Sequence, residues 1–74
     1  MTRGKVYAVV VGQALRDVIV SAVGDCGGVV LDLDRTDPTS VTVYVAGPWR
    51  NPRRLQDLLF ARVPGPSIEV RRGA

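Results

Sequence analysis

The sequence predicts an α+β fold in which four strands and two helices follow one another as β-α-β-β-α-β. Three observations predict it. The runs Val29 to Asp34 and Val41 to Ala46 alternate in side-chain character on either side of a cluster of turn formers, which is a hairpin pattern. The run Gln13 to Val23 places Leu15, Val18, Ile19, Ala22 and Val23 at helical spacing, the mark of a helix with one apolar side. A second stripe of Leu55, Leu58, Leu59 and Arg62 ends at Pro64-Gly65-Pro66 and is followed by a short alternating run.

Taken in order, Lys5 to Val11 reads as strand one, apolar on both faces apart from Tyr7 and therefore central. Gly12 breaks it, and helix one follows over Gln13 to Val23. Val18, Ile19, Val20 and Val23 are β-branched and poor helix formers. A strand is thus the rival, but the 3.6-residue period and Gly24 at the end favour a helix. Asp25-Cys26-Gly27-Gly28 then turns into strand two.

In strand two Leu31 and Leu33 oppose Asp32 and Asp34; in strand three Val41, Val43 and Val45 oppose Thr42 and Tyr44. Period-2 alternation of this kind gives each strand one covered face. Between them lies Arg35 to Ser40, where Asp37-Pro38 suits the first two positions of a type I turn. Proline pre-sets φ there, and the Asp carboxylate accepts from nearby backbone N–H groups. After strand three, Asn51 is placed to cap helix two with Pro52 at its first position, and the helix runs from Arg53 to about Arg62. Ser67 to Arg72 forms strand four, with Ile68 and Val70 inward and Glu69 and Arg71 outward.

Right-handed crossovers put strands one and three in the centre of an antiparallel sheet ordered 4-1-3-2, with both helices on one face. This is the ferredoxin-like arrangement, and 74 residues make one such domain over 1–74. The other face stays open. It carries Asp32, Asp34, Thr42, Tyr44, Glu69 and Arg71, together with either Tyr7, Val9 and Val11 or Val6, Ala8 and Val10 from strand one. Both sets are apolar, so an apolar patch sits at the centre of an uncovered sheet under either choice, and such a patch marks an interaction site. A domain this small buries only about 60% of the surface its unfolded chain exposes. The two facts together predict a homo-oligomer or a protein partner.

Composition narrows the function classes. No apolar run approaches the roughly 20 residues of a membrane span, and the longest is Val6 to Val11. Basic residues precede that run, but Gln13-Ala14-Leu15-Arg16-Asp17 supplies no cleavage site for a signal peptide. The reading is a soluble cytoplasmic protein without membrane partners. Cys26 is the only cysteine, so no intrachain disulfide is possible, and there is no histidine. Without the usual general base and metal ligand, enzyme activity ranks last, and no cofactor or metal is expected. The net charge is +3, and nine of the ten basic residues are arginine. A GC-rich coding sequence accounts for that bias; carboxylate or phosphate recognition is the other account.

Cys26 follows a helix and has no histidine to activate it, so it reads as a small, partly buried residue. Asp32, Asp34 and Asp37 do not meet the calcium-loop pattern, and Arg35 among them opposes a cation. Trp49, Arg50, Arg53 and Arg54 cluster at the start of helix two, in a loop stiffened by Pro48 and Pro52, with no acidic residue from Gly47 to Gln56. Cations are unfavourable at that end of a helix, and Trp with Arg is the composition of an interface hot spot. The competing account is that Trp49 folds back over the sheet end and the arginines are solvated.

Two resemblances follow from these residues. Tyr7 on strand one and Tyr44 on strand three, with Val6-Tyr7 similar to the start of the first signature, resemble the RNA recognition motif, whose stacking aromatics lie on those strands. The second signature is not matched, since Ser40 to Val45 lacks its basic residue, its glycine and one aromatic. A wider stretch resembles an ACT-type regulatory domain: Val9-Val10-Val11-Gly12, the helix Leu15 to Val23, the link Gly24 to Val30, and Leu55-Gln56-Asp57-Leu58-Leu59. That resemblance implies side-by-side pairing and a small ligand near the first strand–helix loop, here Gly12 and Gln13. The family's Asp-x-Pro-Gly-like loop is absent. The expected function is a non-enzymatic oligomerising or partner-binding regulatory module, ACT-like. The alternatives are a basic nucleic-acid-binding module and a small structural subunit of a larger assembly such as a viral particle.

Overall fold

A computed structural model describes residues 5–63 and 68–73, with the backbone only for Thr36. The elements are β1 (Lys5–Gly12), a single 3-10 turn (Gln13–Leu15), α1 (Arg16–Asp25), β2 (Val29–Asp37), β3 (Ser40–Gly47), α2 (Pro52–Arg62) and β4 (Glu69–Arg72). The architecture is α+β, with one four-stranded antiparallel sheet and two helices. Counted from the β2 edge the sheet runs β2-β3-β1-β4, which from the β4 edge reads 4-1-3-2, so β1 and β3 are the central strands. The Pro64-Gly65-Pro66 terminator and Ser67 lie outside the described residues.

Register decides which face of β1 is covered. Val9 pairs with Val43 on one side and Val70 on the other, Tyr7 pairs with Val45, and Val11 with Val41. Directly paired residues share a face, so these side chains form one apolar layer. Ile19, Ala22 and Val23 of α1 and Leu55 and Leu59 of α2 belong to the same buried cluster, so both helices close over this face. Burying a Val or Leu side chain is worth roughly 1.5–3 kcal/mol, so this layer is where the apolar burial of the fold is concentrated. The set left uncovered is Val6, Ala8 and Val10.

Helix one departs from expectation at both ends. It opens with the 3-10 turn, becomes α-helical only at Arg16, and continues past Gly24 to Asp25. The residue that stops it is Gly27, whose φ of 87° is the left-handed conformation glycine adopts without penalty. The amide of Gly27 donates to Gly24 O (3.1 Å) and that of Gly28 to Val23 O (3.0 Å), a Schellman pair. Val18, expected on the apolar stripe, is 48% exposed. A helix of ten residues presents only the narrow stripe Ile19, Ala22 and Val23 to the sheet. Arg62 is likewise exposed rather than part of the buried stripe of α2.

The hairpin is tighter than the six-residue loop expected. β2 extends to Asp37, leaving Pro38-Thr39 as the connection. Asp37 Oδ1 accepts from Thr39 N (2.8 Å) and from Thr39 Oγ1 (2.9 Å). Those bonds, with further ones from Ser40, hold the Asp37 carboxyl below its ordinary pKa. No non-glycine residue among those described has positive φ, which excludes the primed turns and leaves the expected type I geometry consistent. β2 itself slips register twice, between Val30 and Asp32 and between Asp34 and Asp37. These irregularities are β-bulges on an edge strand.

Candidate functional site: the uncovered face of the sheet

The uncovered face can be read off the register as rows that cross the sheet. Val29, Ala46 and Val6 form one row. The next is Asp32, Tyr44, Ala8 and Arg71, and the third is Asp34, Thr42, Val10 and Glu69. The centre is therefore apolar, with Val29 60% exposed and Val6, Ala8, Val10, Tyr44 and Ala46 half-buried by their neighbours. Charge lies only at the margins: carboxylates on β2, and Glu69 with Arg71, joined by an ion pair, on β4. Thr42 is buried among them.

Of the aromatic residues proposed for this surface, Tyr44 is on it and Tyr7 is not. Tyr7 is 1% exposed and points into the helix-covered layer. Its hydroxyl donates to Trp49 O at 2.7 Å, and its ring meets the indole edge-on at 5.9 Å between centroids. A buried tyrosine needs such a partner for its hydroxyl, and the Trp49 carbonyl supplies it.

Trp49 is also a core residue, 5% exposed, which agrees with the account that it folds back over the sheet end and corrects its assignment to a partner-binding surface. Its ring is seated where Gly28 and Gly47 leave room. A Cβ at Gly28 would meet the indole, with Cζ2 at 2.9 Å, and one at Gly47 would meet it too, with Cε3 at 2.7 Å. Lys5 Nζ donates to Arg50 O at 2.8 Å, so two side chains of β1 pin the loop before α2. Trp49 Nε1 is buried without a hydrogen-bond partner among the described residues.

Arg50, Arg53 and Arg54 are exposed around this loop. A cleft of about 390 Å³ lies there, lined by Cys26, Pro48, Trp49, Arg50, Asn51, Arg54 and Leu58. The helix terminus beside it offers an anion little. Asn51 caps as expected, its Oδ1 accepting from Arg54 N at 2.8 Å. Pro52 has no N–H, and the Leu55 amide turns back to Asn51 O at 3.5 Å.

Gly12 and Gln13, the residues implied for a small ligand, sit at the junction of β1 and the 3-10 turn. Gly12 is extended, with φ −64° and ψ 146°, so any residue could stand there. The Gln13 amide donates to Thr39 O at 2.8 Å, tying the junction to the hairpin. Gln13 Oε1 is buried without a partner among the described residues.

Comparison with protein-family models, with curated proteins and with solved structures finds no match. Among the described residues no three His, Cys, Asp or Glu side chains are grouped to hold a metal ion. No helix among them is long and apolar enough to cross a membrane. What the uncovered face offers is contact area with a charge pattern at its edges. The residues that make its centre, Val6, Ala8 and Val10, carry no individual signature. Only their pairing with Ala46, Tyr44 and Thr42 assigns them to it.

Proposed function

We propose that the chain is a small non-enzymatic protein-association module of ferredoxin-like architecture, ACT-like in acting by association, with the uncovered sheet face as its docking surface. The observation that carries this reading is the apolar centre of that face, Val6, Ala8, Val10, Tyr44 and Ala46 beside an exposed Val29. Contiguous apolar surface in water is favourable to cover. Asp32 and Asp34, in line with Tyr44 and Thr42, would repel phosphate, which argues against nucleic acid on this face.

A photo-reactive benzophenone amino acid in place of Tyr44 tests the reading in the expressing cell, with the same group in place of exposed Asp57 on α2 as the control. The expected result is a covalent protein adduct from position 44 and none from position 57. No adduct, or equal adducts from both, would refute it. Val10→Lys should leave the melt unchanged and abolish the adduct, whereas Val9→Lys, inside the core, should unfold the chain.

One observation favours a second reading. Arg50, Arg53 and Arg54 are exposed and have no ion-pair partner within 4.0 Å among the described residues. A nucleic-acid backbone is the ligand such a ridge would take, and binding of mixed RNA or DNA that weakens steeply with salt would support it.

A further inference from the structure

We infer that the occupant of the uncovered face is a second copy of the chain, related by a twofold axis that runs parallel to the strands. This rests on the association reading above and adds the partner and its arrangement.

The first argument removes pairing through the β2 edge. β2 is an outer strand, and its two bulges break the regular row of groups that a new strand would need. The Leu33 amide is occupied by the Asp32 carboxylate at 2.8 Å. Two β2 strands meeting antiparallel around Leu33 would also bring the carboxylates of Asp32 and Asp34 together, and like charges directly opposite are destabilising.

The second argument selects the arrangement of two stacked faces. An axis across the strands sets β2 over β2 and brings four carboxylates into one region. An axis along the strands sets the β2 edge of one copy over the β4 edge of the other. Each row is then laid on itself in reverse. The row Asp32, Tyr44, Ala8, Arg71 answers this operation at every position: Asp32 meets Arg71, and Tyr44 meets Ala8. Acid is set on base and a large ring on a small side chain. The third row sets Asp34 opposite Glu69, but Glu69 already has Arg71 of its own chain as a counter-ion. The contact is isologous, so it closes at two copies.

Size sets the strength. Four strands at about 4.8 Å by three rows at about 7 Å give a flat footprint of roughly 400 Å² per copy. A standard interface covers about 800 Å² per partner, so this one belongs with weak, concentration-dependent contacts.

Sedimentation of the full chain from low micromolar to near-millimolar concentration is the test. The wild type should pass from its 8.0 kDa monomer to twice that mass. Asp32→Arg alone and Arg71→Asp alone should each weaken self-association about tenfold, since two attractive contacts per dimer become repulsive. An equimolar mixture of the two variants restores opposite charges at both contacts and should recover the dimer, as should the double swap in one chain. Both positions are exposed strand-edge sites. If Asp32→Arg fails to fold, Asp32→Asn should still weaken the dimer by a smaller factor, with the same rank order. A dimer indifferent to every charge change would overturn the arrangement. A wild-type monomer throughout, with the benzophenone at position 44 joined to a different protein, would overturn the second copy while leaving the face a docking surface. A monomer with no adduct at all would end both.

Discussion

Replacing Tyr7 by Phe removes one oxygen atom from the middle of the core and tests what holds the loop before α2. The hydroxyl lies 2.7 Å from Trp49 O, across 42 residues of sequence, and both residues are buried. Phe keeps the ring and its edge-on contact with the indole. The loss is then the net worth of one hydrogen bond, about 0.5–1.5 kcal/mol, and the desolvation left on an unpaired Trp49 carbonyl, which brings the total to about 1–3 kcal/mol. A domain of this size loses roughly 4–8 °C of Tm per kcal/mol, so a fall of at least about 4 °C is expected. Urea unfolding followed by emission of Trp49, the only tryptophan, reads the change beside the site of the lost bond. The slope with urea should not change, because the surface exposed on unfolding is the same. Lys5→Met is the control. It deletes an exposed hydrogen bond to the neighbouring carbonyl of Arg50, and exposed charged side chains in such contacts contribute about 0–1 kcal/mol. If Tyr7→Phe costs no more than Lys5→Met, burial is not what gives the Tyr7–Trp49 bond its weight, and the account of Trp49 as a pinned core residue is wrong.

Three further outcomes follow from the same structure. Gly47→Ala places a Cβ against the Trp49 ring and should destabilise by about 1–3 kcal/mol through overpacking; a melt within a degree of wild type would contradict that seat. Arg53→Glu with Arg54→Glu replaces cations by anions in the first turn of α2, where the first turn has no acidic residue, and each should gain about 0.3–1 kcal/mol. A lower melting temperature for that double variant would show that the arginines make contacts the fold needs. The Asp37 carboxyl is held low by Thr39 and Ser40, so its folded pKa lies below its unfolded one. Its stabilisation is present above the unfolded value, near pH 4, and is lost as pH falls through the folded value. Below about pH 4 the melt of Asp37→Asn should therefore fall less steeply than that of the wild type, and parallel curves would refute the linkage.

Most of the element order was legible because the forces behind it are local. Alternation in Val41 to Val45, the Asp37-Pro38 turn and the Asn51-Pro52 cap each act within a few residues, and each appears in the structure. The same period-2 rule placed Tyr44, Asp32, Asp34 and Arg71 on the uncovered face. Strand one could not be read that way, since Val6, Ala8 and Val10 are as apolar as Val9 and Val11, and periodicity has nothing to distinguish. Pairing with β3 and β4 made the choice, setting Val9 between Val43 and Val70. Trp49 likewise admits two readings from sequence, an interface hot spot among arginines or a ring folded back over the sheet end. What buries it is the room left by Gly28 and Gly47 and the hydroxyl of Tyr7, groups that meet only after the chain has closed. The sequence by itself determined the elements and the polar face of β3, because those depend on near neighbours; in β2 the face expected to be covered is not, since Leu31 and Leu33 are 54% and 44% exposed on a bulged edge strand. Only tertiary structure decided which apolar residues became core and which became surface, because burial is set by contacts between distant segments.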